Sequence, residues 1–168
     1  MSLRILFLLL LSIFCAGAAS AQLPRRHDPM EEDTNQTIEE MRARWEIKYA
    51  EKERLENLDR AREAAQLGTE LYTTFSNTKT FSPVEKKKLD RLEKVTRKIR
   101  NQAGGSDGEV LIENMPSQTE PALKRLSEMA DSLRKAVEKT PRQVVSAAVI
   151  ERANEVLEVI RYIRTFTR

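Results

Sequence analysis

Apolar residues recur every three or four positions along most of the chain after residue 34, which is the spacing of one face of an α-helix. Four segments carry this pattern. They predict helices at about residues 35–75, 83–103, 119–139 and 141–165. We therefore expect residues 34–168 to form a single all-α domain, an up-and-down bundle of about four helices.

The first predicted helix has two unlike halves. Its second half carries a continuous apolar stripe of Leu55, Leu58, Ala61, Ala65, Gly68, Tyr72 and Phe75. We expect this half to lie in the core, with Gly68 as its only weak point, costing about 1 kcal/mol relative to alanine. The first half, residues 36–57, is crowded with charges, and we call it the arm. Its composition predicts a long first helix whose arm projects beyond the bundle.

Two aromatic residues stand four positions apart on this charged arm. Trp45 and Tyr49 share one side of the helix with Ile38 and Met41. Exposed aromatic pairs often mark contact with a partner protein or with a second copy of the chain. The alternative is that the arm folds back and the two rings cap the bundle. The four residues are therefore the candidate partner contact.

Two helix starts combine a hydroxyl residue with a proline. Ser82 and Pro83 are followed by Glu85, and Thr140 and Pro141 are followed by Gln143, which is the order that a capped helix prefers. They predict that the second helix starts at 83 and the fourth at 141. The fourth is apolar over more than half of its circumference, so we expect it to lie at the centre, against more than one neighbour.

The second helix ends before Gly104 and Gly105, which predict a loop over residues 104–116. This loop contains a short apolar patch, residues 110–112, that either packs on the bundle or forms an extended segment.

The second helix also carries a run of cations. Lys87, Arg91, Lys94 and Lys98 fall on one side of a helical wheel, and we call them the basic strip. The strip is either a solvated face beside the acidic first helix or a site for an anionic polymer or a lipid surface. No aromatic residue interleaves it, so a nucleic-acid partner is not expected.

The first 21 residues have the order of a secretory signal peptide. Arg4 precedes an uncharged apolar run, residues 5–14, and small residues end in Ala19-Ser20-Ala21. We expect cleavage after Ala21 and a secreted or periplasmic protein with no transmembrane segment after cleavage. A retained membrane anchor is the alternative, although the apolar run is short for a span of about 20 residues. Residues 22–33 are predicted to be a disordered polar tail.

Composition restricts the chemistry. The single cysteine, Cys15, lies in the leader, and the single histidine, His27, lies in the polar tail. The predicted helical domain therefore lacks the side chains of Ser-His-Asp or Cys-His catalysis and of common zinc sites, and we expect no catalytic residue, metal or cofactor. Without the leader, 28 Lys and Arg face 26 Asp and Glu, a net charge of +2 that demands no polyanionic partner.

These patterns predict a non-enzymatic exported protein that acts by binding a protein partner or itself. Binding of an anionic envelope polymer or membrane surface through the basic strip is the alternative, and a carboxylate-dependent hydrolase is a third hypothesis. The leader and helices resemble those of small exported helical proteins of bacterial envelopes. The repeated Leu-Thr-x-x-Gln motif of the stress chaperones among them is absent, so their function does not carry over.

Overall fold

A computed structural model describes residues 29–106, 115–141 and 145–167, with side chains from residue 37 onward. Four helices occupy these residues: α1 Pro29–Thr78, α2 Pro83–Gln102, α3 Thr119–Lys139 and α4 Ala147–Phe166. The described residues contain no strand. The prediction of an all-α bundle with a long first helix is confirmed.

The chain divides into two compact units, Met1–Arg42 and Ala43–Arg168. The described part of the first unit is helical from Pro29, so the predicted disordered tail is wrong for residues 29–33. A proline suits the first helical position, because its missing N–H would have no intrahelical acceptor there. The leader and residues 22–28 lie outside the described residues.

The core belongs to the second unit and uses all four helices. Its largest fully buried side chains are Leu71, Leu89, Leu92, Ile99, Leu123, Leu126, Leu133, Ile160 and Ile163. On α1 the buried stripe runs through Ala61, Ala64 and Leu71. The prediction that Leu55 belongs to this stripe is wrong, since its side chain is 56% exposed.

Polar contacts between α1 and its neighbours show that α2 and α3 both run antiparallel to it. The contacting pairs are Glu70 with Lys88, Glu63 with Arg91, Ser76 with Glu120, and Thr69 with Ser127. In both sets the partner's number rises as the α1 number falls. Consequently α2 and α3 run parallel to each other, so the end of α2 and the start of α3 lie at opposite ends of the bundle.

The fourth helix packs on both α2 and α3, as its wide apolar surface predicted. It runs antiparallel to α2, because Arg164 pairs with Asp90 while Asn154 accepts a hydrogen bond from Arg100. The helix directions are therefore up, down, down, up, which differs from simple alternation. The long connection after Ala103 makes this order feasible; the apolar patch 110–112 within it lies outside the described residues.

The predicted start of α2 is confirmed in atomic detail. The Ser82 hydroxyl accepts a hydrogen bond from the Val84 amide at 3.1 Å, and the Glu85 carboxylate accepts one from the Ser82 amide at 2.9 Å. This reciprocal capping box satisfies two amides that have no partner inside the helix.

The predicted start of α4 is wrong. Pro141 disfavours a helical conformation at the preceding Thr140, which is extended at ψ 124° and ends α3 instead. Helix α4 begins only at Ala147, where the Ser146 hydroxyl accepts a hydrogen bond from the Val149 amide. The proline-led segment is thus a connection between two helices, and Val145 within it is 72% exposed.

Candidate functional site

The arm leaves its aromatic side chains exposed. Trp45 is 72% exposed and Tyr49 is 64% exposed, and Ile47 between them is 58% exposed. All described residues from Ala43 to Tyr49 are exposed, so the alternative in which both rings cap the bundle does not describe this structure. In the first unit, Ile38 and Met41 are also exposed, at 44% and 50%.

Two hydrogen bonds fix the helix where it passes the end of the bundle. The Arg54 guanidinium donates to the Thr140 carbonyl at 3.2 Å, and the Gln102 side-chain amide donates to the Glu53 carbonyl at 2.9 Å. The first joins α1 to the end of α3 and the second joins it to the end of α2. Residues 43–57 of the arm are therefore anchored at their carboxyl end.

A groove of about 520 Å³ lies between this part of the arm and the bundle, where α2 and α3 end and α4 begins. We call it the end groove. Its apolar surface includes Leu58, Val137 and Val149, and exposed Val145 lies at its rim. Its polar lining consists of Glu46, Tyr49, Glu53, Arg54, Asn57, Asn101, Gln102, Thr140 and Ser146. Of the predicted contact residues, Tyr49 reaches this groove.

The polar lining of the end groove contains two carboxylates, Glu46 and Glu53, and one cation, Arg54, together with amide and hydroxyl side chains. The Glu53 carboxylate accepts a hydrogen bond from Tyr49 and raises the pKa of the Tyr49 phenol, because its negative charge opposes ionisation. The Asn57 Oδ1 atom is buried and has no hydrogen-bond partner among the described residues. The last carbonyls of α2 and α3 also point out of the helices at this end, and Arg100 and Lys139 in the last turns offset part of their negative charge.

The basic strip is divided between paired and unpaired cations. Arg91 forms a bidentate ion pair with Glu63 of α1, at 2.6 and 3.0 Å, which raises the pKa of the guanidinium. The neighbouring Lys88 pairs with Glu70 of α1 at 2.7 Å. Lys87, Lys94 and Lys98 are exposed, and none of the described residues forms an ion pair with them.

The end groove brings together two carboxylates, the residue type on which the hydrolase hypothesis rests. Within residues 29–106, 115–141 and 145–167, no group of three metal-ligating side chains comes together. The two carboxylates of the end groove, Glu46 and Glu53, stand seven residues apart on one helix. Their Cα atoms are therefore separated by a rise of about 10 Å along the helix axis.

Sequence reasoning missed the end groove because it placed the start of α4 too early. A helix from residue 141 would have left no irregular connection to form the wall at Thr140, Val145 and Ser146. The sequence did contain one indication of this connection. A proline directly after the apolar stripe of a helix favours the end of that helix as well as the start of another.

None of the helices in the described part of the chain is long and apolar enough to span a bilayer. No protein-family model matches the sequence, and comparisons with curated proteins and with solved structures found no match.

Proposed function

We propose that this chain is an exported, non-enzymatic protein that binds a protein partner through the exposed aromatic side of the arm. One observation carries the proposal: Trp45, the only tryptophan of the chain, is 72% exposed in a helical segment that is otherwise mostly charged. An exposed tryptophan loses the free energy that its burial would supply, so its position favours a role in binding.

The aromatic pair suits a protein partner in particular. Each aromatic side chain can bury roughly 150–250 Å² of surface, and Trp and Tyr are among the residues that contribute most to protein interfaces. A helix that is already ordered and anchored at one end loses less conformational entropy on binding than a free segment does. The anchoring of the arm through Arg54 and Gln102 supplies this order in the second unit.

Site-specific photocrosslinking in the native cell tests this proposal. We expect benzoylphenylalanine at position 45 to capture the same protein reproducibly, while the same group at Thr73, an exposed position of α1 beside the core, captures none of it. Capture from both positions alike, or from neither, would contradict the proposal. If the captured species is the chain itself, sedimentation should show self-association that Trp45→Ala abolishes.

Export rests on the leader pattern. The basic residue, the short apolar run and the Ala-x-Ala ending predict a mature chain that begins at Gln22. Amino-terminal sequencing of the protein from its native host checks this. A chain that retains residues 1–21 would support the membrane-anchor alternative instead.

A second candidate function is binding to an anionic polymer or membrane surface, favoured by the three unpaired lysines of the basic strip. Vesicles containing phosphatidylglycerol should then co-sediment with the protein at low salt and release it as salt rises. Replacing Lys87, Lys94 and Lys98 together by glutamine should abolish this binding. Equal replacement of three other exposed lysines, Lys52 on α1 and Lys124 and Lys139 on α3, is the matched control.

A further inference from the structure

The end groove has a chemical character of its own, separate from the aromatic side of the arm. Its carboxylates, Glu46 and Glu53, both come from α1 and lie above the ends of two helices that carry partial negative charge. One oppositely charged side chain, Arg54, lines the groove, and it donates a hydrogen bond to the Thr140 carbonyl. The groove therefore presents acceptors and negative charge to whatever enters it.

The amino end of α4 also lies at the groove. It carries partial positive charge, opposite in sign to that of the carboxyl ends of α2 and α3. Its first turn is capped, because the Ser146 hydroxyl accepts a hydrogen bond from the Val149 amide. The cap occupies an amide that would otherwise be available to an anion. Charge and hydrogen bonding thus both favour a ligand that donates.

The groove also combines this polar rim with an apolar surface. Leu58, Val137 and Val149 lie among the groove residues, and the Asn57 Oδ1 atom is a buried acceptor without a partner. A buried acceptor that stays unpaired is destabilising, and a hydrogen-bond donor from a ligand would offset this cost. The matching ligand has an apolar stem and a head with several N–H donors, which describes arginine or lysine.

We propose that the end groove receives an arginine or lysine side chain of the protein partner, with the aliphatic stem on the apolar surface and the cationic head between Glu53 and Glu46. This inference rests on the proposed function for the nature of the ligand. It adds a specificity site: the arm supplies aromatic contact area, and the groove selects a partner segment with a basic residue.

Titration of the purified chain with short peptides, followed by NMR of backbone amides, tests the inference. The probe is the acetylated and amidated pentapeptide Ala-Leu-Arg-Leu-Ala, and its matched control has glutamine in place of arginine. We expect the arginine peptide to shift the amides of Ala103, Val145 and Val149, and to bind at least about threefold more tightly than the glutamine peptide. Binding should weaken as salt rises.

Two charge variants and a control sharpen the test. Glu53→Gln and Glu46→Gln should each weaken binding of the arginine peptide by about three- to fivefold, the effect of losing one partly exposed charge interaction. Glu128→Gln on the exposed face of α3 removes the same charge far from the groove and should leave binding unchanged. Circular dichroism of each variant confirms that the helices remain intact.

Three outcomes would overturn the inference: equal binding of the two peptides, shifts that map outside the groove, or no binding of the arginine peptide at concentrations up to about 10 mM. None of these three outcomes would change the crosslinking result expected at Trp45. A negative peptide titration together with successful crosslinking at position 45 would refute the basic-residue site and leave the proposed function intact. The two proposals can therefore be refuted separately.

Discussion

Replacing Gly68 by alanine should destabilise the protein, although alanine is the better helix former. Gly68 lies where α1 packs closely against α3. A Cβ atom built on it would lie 3.1 Å from the Ala130 Cβ atom and 3.2 Å from the Ser127 Cα atom. Both distances are shorter than ordinary van der Waals contact, and both atoms belong to or adjoin the backbone of α3.

The sign of the effect follows from two opposing terms. Alanine in the interior of a helix gains about 1 kcal/mol over glycine. Forcing a methyl group into a packed contact costs typically about 1–3 kcal/mol when the neighbour cannot move. Helix α3 cannot move cheaply here, because Leu126 and Leu133 on either side of the contact are fully buried. We therefore expect Gly68→Ala to lower the free energy of unfolding by about 1 kcal/mol.

Chemical denaturation followed by circular dichroism measures this change, and a double-mutant cycle identifies its cause. Ala130→Gly alone should also destabilise, because it loses helix propensity and a buried methyl group. In the double variant the new methyl group at 68 gains the space left at 130. The double variant should therefore lose less stability than the sum of the losses of the two single variants, by about 0.5 kcal/mol or more. Additive losses, or a Gly68→Ala protein more stable than the wild type, would refute the close-contact explanation.

Three further predictions concern the interior and the ends of the helices. Thr96→Val should raise the free energy of unfolding by about 1 kcal/mol, because the fully buried Thr96 hydroxyl has no hydrogen-bond partner; a lower denaturation midpoint would contradict this. Ser82→Ala should cost about 1 kcal/mol by removing the cap of α2. Stability should also fall as pH drops below about 4.5, because hydrogen bonds from Ser82 hold the pKa of Glu85 below its ordinary value of 4.5, and Lys135 and Arg134 lower that of Asp131. The unfolded chain then binds more protons than the folded one, so a pH titration of the unfolding midpoint should show this loss, and Ser82→Ala should flatten it.

Short sequence patterns predicted the bounds of the helices correctly where physical chemistry favoured only one structure for the pattern. The bounds of α3 agree with the predicted 119–139, and the capping box at Ser82 gave the start of α2. Thr140 and Pro141 form nearly the same sequence pattern as the start of α2. However, they directly follow the apolar stripe of α3, so the same pattern can also mark the end of that helix. A proline restricts the residue before it as strongly as it suits the first turn after it. The sequence alone does not decide between these effects.

Helix directions and close crossings depend on contacts between distant segments, so periodicity could not reveal them. Apolar spacing showed which face of each helix is buried but not which neighbour covers it. Gly68 illustrates the difference, since in isolation it is a weak point of α1, whereas beside Ala130 its missing side chain permits the crossing.

The end groove follows from the same kind of long-range placement. It exists because α2 and α3 run parallel and so end together, beneath a first helix that continues past both of them. Alternating directions would have put the carboxyl ends of α2 and α3 at opposite ends of the bundle and removed their joint negative potential. The specificity that we propose for the groove therefore depends on the parallel order of α2 and α3 as much as on Glu46 and Glu53.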